Sequence, residues 1–302
     1  MKSILLLINP KARSGAGSYQ EIAEALLSKG LSVIGLSDQE KNADFKQLIL
    51  TYQEEISYVI VGGGDGTVNR VLSALVETKL PLIVFPLGTA NLLARSIQLK
   101  ANVQDLLELI DTGRTIPVDL GMVNGIYFIN VCGLGISTEV NKNISLKLKK
   151  LTGPFSFWLT GLKLSPNLSP FKMKLTVDGN TPVVTRTWQI TICNGRKYAA
   201  WMTIEPDASY SDGTLHCLST EIKKWWQGFR LLPCYLRGNY RDNLDVTLVA
   251  GQEIKIETRH PLQIDVDGDV QTNTPAVFQV KPKVLNLVVP AAALKDSRPF
   301  FV

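Results

Sequence analysis

The residues of this chain best equipped for chemistry are carboxylates and hydroxyls set among glycines. Val61-Gly62-Gly63-Gly64-Asp65-Gly66-Thr67-Val68-Asn69-Arg70 directly follows the apolar run Tyr58-Val59-Ile60. The run reads as a strand, and Val68, Val71, Leu72, Leu75 and Val76 then share one face of a helix beginning at Thr67. Glycine lets a ligand approach the backbone closely, so a strand that breaks into glycines and restarts as a helix gathers bare amides at one point. A polyphosphate fits such a place. Asp65 fits it only with a divalent cation, because Mg²⁺ takes one or two protein carboxylates and completes its shell with water and phosphate oxygens. The segment therefore predicts a nucleotide and a metal together.

Other chemistries are poorly supplied. A dinucleotide fingerprint needs glycine where Thr67 stands, and the Gly-Lys-Ser/Thr of a Walker loop does not occur. The four cysteines, at 132, 193, 217 and 234, form no Cys-x-x-Cys pair, and the histidines are His216 and His260, so structural zinc and serine-triad chemistry lack their parts. Isolated cysteines in apolar runs read as reduced core residues, which points to the cytosol. Ile4 to Ile8 is too short for a signal h-region and ends at Asn9-Pro10-Lys11. No window approaches the roughly 18 apolar residues of a membrane span.

The elements that must position Asp65 alternate in type. Strands are expected at 3–8, 32–36, 57–61, 81–85 and 115–122. Between them fall helices from Ser18, whose Ser18…Glu21 spacing is a capping box stopped by Gly30, and near 43–52, 67–78, 89–97 and 102–111. This is the pattern of a doubly wound parallel sheet, in which ligands bind outside the carboxyl ends of the strands. Three glycine-bearing loops, 9–17, 62–67 and 86–91, then share one rim. After residue 123 short β-rich runs take over, at 127–132, 173–178, 183–193, 214–218, 245–249, 253–257, 262–266 and 276–280, with a helical stretch at 221–236. The fold class is thus α/β plus all-β, with an N-terminal nucleotide-binding domain at 1–122 and a β-sandwich domain at 123–287. The tail from about 288 to 302 is expected to return to the first domain.

The net charge of +5 is unevenly spread. Residues 142–174 hold seven lysines and no acid, and residues 221–241 hold Lys223, Lys224, Arg230, Arg237 and Arg241 against Glu221 alone. Lys147, Lys149 and Lys150 precede Phe155, Phe157 and Trp158, while Lys223 and Lys224 precede Trp225, Trp226 and Phe229. Basic residues beside large aromatics suit an anionic lipid surface; a core helix with solvated lysines explains them equally well. The acidic balance elsewhere disfavours nucleic acid.

Gly-Gly-Asp-Gly-Thr resembles the signature shared by diacylglycerol kinases, sphingosine kinases, NAD kinases and phosphofructokinases. Further blocks, in matching order, are Asn9-Pro10 with Gly15 and Gly17, Pro86-Leu87-Gly88-Thr89-Ala90-Asn91, Asp119-Leu120-Gly121, Phe128-Ile129-Asn130 with Gly133 and Gly135, Asn194-Gly195-Arg196, Pro206 with Ala208, Asp212-Gly213 and Asp267-Gly268. Together they resemble the bacterial soluble diacylglycerol kinase family over most of the chain. The resemblance implies an ATP site in which Gly63, Gly64, Asp65, Gly66, Thr67, Asn69 and Thr89 bind phosphates, with Asn9, Ser37 and Asn91 nearby and Asp119 in a water network close to the nucleotide metal. It implies a structural Mg²⁺ on Asp212 with main-chain oxygens of Ser209 and Thr214. It also implies a general base at Asp269, where the family has the glutamate of Asp-Gly-Glu, with Asp267 the next candidate.

This chain departs from the family at three places: Asp269 is shorter by a methylene, Arg70 replaces an acid, and Leu92 replaces the aspartate that often follows Thr-Ala-Asn. The implied activity is an ATP- and Mg²⁺-dependent transfer of phosphate to a lipid hydroxyl, most simply diacylglycerol, in a cleft between the domains. The place implied is phospholipid metabolism, in a cytoplasmic protein that visits the membrane, with a homodimer left open. The alternatives are a soluble-metabolite kinase resembling NAD kinase, and a non-catalytic lipid or nucleotide sensor on the same scaffold.

Overall fold

The computed structural model describes residues 3–12, 15–35, 44–143, 169–198, 202–240 and 243–294. These form two compact units, the first holding residues up to Asp119 and from Pro282 onward, the second those from Leu120 to Lys281. Ser37, Lys147, Lys149, Lys150, Lys163 and the aromatics at 155, 157 and 158 lie outside the described residues.

The first unit runs β1 (Ser3–Ile8), α1 (Gly15–Ser28), β2 (Val33–Gly35), α2 (Phe45–Tyr52), β3 (Ile56–Gly63), α3 (Asp65–Asn69), α4 (Leu72–Thr78), β4 (Leu82–Pro86), α5 (Leu92–Ser96) and α6 (Val103–Thr112), and enters β5 (Arg114–Val123). Its strands pair in parallel in the order β2–β1–β3–β4. Ile4 to Leu7 are buried in succession, the mark of a strand covered on both faces. On one face Ile22 and Leu26 of α1 and Leu106 and Leu109 of α6 pack with Ile4, Leu6, Ile60, Ile83 and Phe85. Two helices start on side-chain caps: Asp44 accepts from the Lys46 amide at 3.0 Å, and Asn102 from the Gln104 amide at 2.7 Å.

Two local expectations change. Helix α1 begins before Ser18, at Gly15. The single helix expected over 67–78 is instead two short ones, α3 and α4, parted at Arg70 and Val71. The break leaves Val68, Val71, Leu72 and Leu75 all buried.

The second unit continues β5 and adds β6 (Ile126–Phe128), β7 (Val131–Gly135), α7 (Ile136–Asn143), β8 (Phe171–Val177), β9 (Val183–Thr187), β10 (Gln189–Cys193), β11 (Lys197–Tyr198), β12 (Met202–Thr203) and β13 (Leu215–Thr220). A 3-10 turn (Trp225–Leu231) leads to α8 (Leu232–Arg237), and then come β14 (Val246–Gly251), β15 (Glu253–Thr258), β16 (Gln263–Val266), β17 (Asp269–Asn273) and β18 (Ala276–Val289). One antiparallel layer joins the first part of β18 to β15, β8 and β9. The other is β14–β13–β10–β7–β16–β17. Phe128, Leu134, Ile192, Ile254, Ile264 and Phe278 belong to one buried cluster with residues from both layers, so the α/β plus sandwich class expected from the sequence holds.

The run 183–193 was expected to be one strand. It is two, in different layers, because the chain turns at Trp188: the Thr187 hydroxyl donates to Thr220 O at 2.8 Å and the Trp188 indole to Ile222 O at 2.8 Å. Strand β18 is also longer than its expected 276–280. Its last part belongs to the first unit, where Leu287 pairs in parallel with Leu82 of β4. Among the described residues no helix is long and apolar enough to cross a membrane.

Candidate active site

The glycine loop after β3 and the loop after β4 meet backbone to backbone. A Cβ built on Gly88 would stand 2.4 Å from the Gly64 Cα, and one built on Gly64 would stand 3.3 Å from the Gly88 Cα. This approach excludes a side chain at Gly88, and one at Gly64 would need its neighbour to give by a few tenths of an ångström. Asp65 ties the loops a second time, its Oδ1 accepting from the Leu92 amide at 2.8 Å at the start of α5. Asn91, in the left-handed region at φ 48°, closes its own loop: its Oδ1 accepts from the Gly88 amide and its Nδ2 donates to Gly88 O, both at 3.0 Å. Asparagine is one of the few residues that holds this conformation readily.

The loop after β1 joins the same place. Asn9 Nδ2 donates to the Thr67 hydroxyl at 2.9 Å, and Thr67 is buried beneath Gly63, whose missing side chain would collide with it. Asn9, Gly63, Gly64, Asp65, Thr67 and Asn91 therefore form one connected set, with Gly66 and Asn69 in α3 and Thr89 in the 88–90 bend. In α3, which is five residues long, the Thr67 and Val68 amides both donate to Gly64 O, at 2.9 and 3.2 Å. The half-buried Asp65 carboxylate, backed by one amide, suits a cation whose remaining ligands come from phosphates. The sequence singled out Asp65 as an acid. It offered no signal for the Leu92 amide as partner, because that bond depends on backbone geometry 27 positions away.

Asp119 is held differently. It is buried in β5, and its Oδ1 accepts at 2.8 Å from the amide of Lys283, a residue at φ 53°. Lys283 gave no signal in the sequence, since nothing marks a lysine for the left-handed region.

In the second unit the remaining Asp-Gly pairs differ in what their carboxylates do. Asp178 turns a hairpin and accepts from the Gln252 and Glu253 amides, each at 2.8 Å. Asp212 accepts on Oδ2 from the Ser209 amide at 2.7 Å, with the His216 ring 3.3 Å away, and on Oδ1 from the Thr214 amide and hydroxyl at 2.9 Å. Burial pushes its pKa up, but the His216, Ser209 and Thr214 donors outweigh that and hold the carboxyl below its ordinary range. Both oxygens of Asp212 thus accept hydrogen bonds from groups of its own loop. No group of three or more His, Cys, Asp or Glu side chains suited to a metal occurs among the described residues.

Asp267 is buried and accepts three backbone amides: Ile129 on Oδ2 at 2.9 Å, and Asn130 and Val131 on Oδ1 at 2.9 and 3.0 Å. It is an anchor for the β6–β7 connection. Asp269, two residues on, is exposed at the start of β17. Three of the four cysteines are buried thiols: burial pushes Cys132 and Cys193 well up and Cys217 to about 12, so these three stay protonated.

Residues 3–123 match the family described as diacylglycerol kinase catalytic domain, and residues 130–289 match the YegS C-terminal NAD kinase beta sandwich-like domain. The diacylglycerol kinase of Bacillus subtilis (strain 168) is 28% identical over 242 residues, 78% of each chain. A crystal structure from Bacillus anthracis str. Sterne, of a protein proposed to be a diacylglycerol kinase, superposes with a TM-score of 0.80 at 25% identity, covering 96% of this chain and 98% of that one. An NAD kinase from Archaeoglobus fulgidus, solved in complex with ATP, has a TM-score of 0.51 at 14% identity over 96% and 93% of the two chains, a likeness of fold alone.

Adding one methyl group tests whether the joined loops are the nucleotide site. Gly88→Ala must push Gly64 away by roughly 1 Å, a displacement that costs on the order of a hundredfold where reacting groups are aligned. The variant is expected to melt cooperatively at a lower temperature and to bind ATP at least about tenfold more weakly in calorimetry. Unchanged ATP affinity would separate the loop contact from nucleotide binding.

Proposed function

The chain belongs to the diacylglycerol kinase family, and from that premise we propose that it transfers the γ-phosphate of ATP to the hydroxyl of a lipid alcohol, with diacylglycerol the first candidate. The observation that carries this reading is the backbone contact of Gly64 with Gly88, bridged again by Asp65 and the Leu92 amide. Phosphoryl transfer asks a protein for positioning and charge stabilisation more than for covalent chemistry. Two glycine loops locked together supply fixed amides. Thr67 and Thr89 supply hydroxyls, and Asn9 orients Thr67. Asp65 would hold Mg²⁺ jointly with the phosphates, and that ion would supply neutralisation of the charge developing during transfer.

On the acceptor side Asp269 is assigned as the base that takes the proton from the lipid hydroxyl as oxygen attacks phosphorus. Asp267 is not available for that role, since its oxygens are engaged by three amides. The other two departures from the family pattern have local explanations. Leu92 is buried and contributes its amide, while Arg70 is exposed at the end of α3.

A lipid acceptor also needs the kinase to reach a membrane. Around α8 the surface combines Lys223, Lys224, Arg230 and Arg237 with Leu236, which is 52% exposed, and Leu244, which is 100% exposed. Apolar side chains standing in solvent beside cations suit an anionic bilayer surface.

Transfer of labelled phosphate from ATP to a panel of lipid alcohols in mixed micelles is expected to require Mg²⁺ and to favour diacylglycerol. Asp65→Asn keeps an acceptor for the Leu92 amide and removes the charge, so turnover is expected to fall by more than about a hundredfold in a folded protein. Efficient transfer to NAD or a sugar with none to lipid would replace this reading with a metabolite kinase. ATP binding without transfer to any acceptor would make the protein a sensor.

Asp269→Asn is expected to lower turnover about a hundredfold or more, to a measurable residual rate, and to leave ATP affinity unchanged, while Asp269→Glu retains or raises activity; an Asn variant with near wild-type turnover would mean the base is another group. In flotation assays the protein is expected to rise with vesicles containing phosphatidylglycerol and to be released by salt. Equal binding to neutral vesicles would assign the 221–241 cations to ordinary surface.

A further inference from the structure

The hairpin that carries Asp269 is held by a second buried carboxylate, that of Asp265, which the assigned chemistry does not use. Asp265 lies in β16, 5% exposed, opposite Gly133 of β7, and its Oδ1 accepts from the Gly268 amide at 3.0 Å. The turn is therefore fixed residue by residue. Asp267, at φ 48°, is anchored through its side chain to the amides of 129–131, and its own amide donates to Val131 O at 2.9 Å. Gly268, at φ 103°, has its amide clasped by Asp265. Asp269 is the next residue and the first of β17.

The strand beyond is adjusted as well. The β16–β17 register slips between Ile264 and Asp265, so that Ile264 faces Thr272 whereas Asp265 faces Val270. The extra residue in β17 is Gln271, whose Nε2 donates to Val266 O at 3.3 Å. Such bulges bend a strand and re-aim its side chains. A turn meant only to reverse the chain needs none of this: Asp178 makes a hairpin with the same Asp-Gly pair and one accepting carboxylate.

We propose that Asp265 is a positioning residue for Asp269: by holding the Gly268 amide it sets where the shorter acid leaves the turn, and so where its carboxylate meets the acceptor hydroxyl. The inference rests on the assignment of Asp269 as base. An aspartate has one fewer torsion than a glutamate to correct a misplaced backbone, so a rigid turn matters more here than it would for the longer side chain. The same clasp leaves ATP binding, which belongs to the first unit, untouched.

The test is a double-mutant cycle read in steady-state lipid phosphorylation well below the melting temperature. Asp265→Ala is expected to lower kcat about tenfold to a hundredfold with the KM for ATP unchanged, and Asp265→Asn, which can still accept from Gly268, to restore most of that loss. In an Asp269→Asn background, Asp265→Ala is expected to have no further effect, because it acts through the group already removed. If Asp265→Ala does not fold, Asp265→Glu decides, since it keeps the charge and shifts the acceptor: a kcat loss of about tenfold at constant ATP KM is expected. A wild-type kcat in Asp265→Ala or Asp265→Glu, or losses that multiply with those of Asp269→Asn, would overturn the proposal. An Asp269→Asn enzyme with near wild-type turnover would instead remove the base assignment beneath it.

Discussion

Much of the first unit answers to one close contact, the approach of the Gly64 and Gly88 backbones. Parallel strands end on one rim, and the loops that leave them normally diverge to reach their helices. Here two such loops are brought to van der Waals distance with no side chains between them, and Asp65 fastens the junction to the start of α5. The left-handed Asn91, the hydrogen bond of Asn9 to Thr67 and the short α3 all lie at that junction. The contact itself is made by main-chain atoms, whose positions do not depend on rotamers.

Aspartate serves this chain in two capacities. Asp178, Asp212, Asp265 and Asp267 collect backbone amides, replacing the partners a strand or helix would otherwise provide. Asp65 and Asp269 stand where a ligand could be met. Asp65 belongs in part to both groups, since one oxygen holds an amide and its loop opens on the glycine junction.

The sequence made the architecture legible wherever a period or a breaker carried it. Consecutive burial in β1 and β3 appears as unbroken apolar runs, and the α/β-to-β transition appears as the loss of helical spacing after residue 123. Boundaries set by tertiary bonds were not legible. The turn at Trp188 depends on Thr220 and Ile222, more than 30 residues away. The same holds at the site. Glycines and Asp65 announce themselves by type, whereas the Leu92 amide, Lys283 and Asp265 act through geometry that their residue types do not encode. Asp-Gly occurs four times with one local meaning, and only long-range partners distinguish the occurrences.

The hydrogen bond from Lys283 to Asp119 closes the first unit at the point where the chain leaves it and later returns. Everything between those residues is an insertion whose two ends are pinned side by side. The first unit cannot complete its sheet until the segment containing Leu287 has been made, although its other strands emerge from the ribosome first. During synthesis the second unit is whole before the first, and the early strands must wait through more than half the chain with the β4 edge uncovered. Maturation of the glycine junction is therefore tied to the arrival of the C-terminal strand, so that a truncated chain would carry the site residues without the sheet that aligns them.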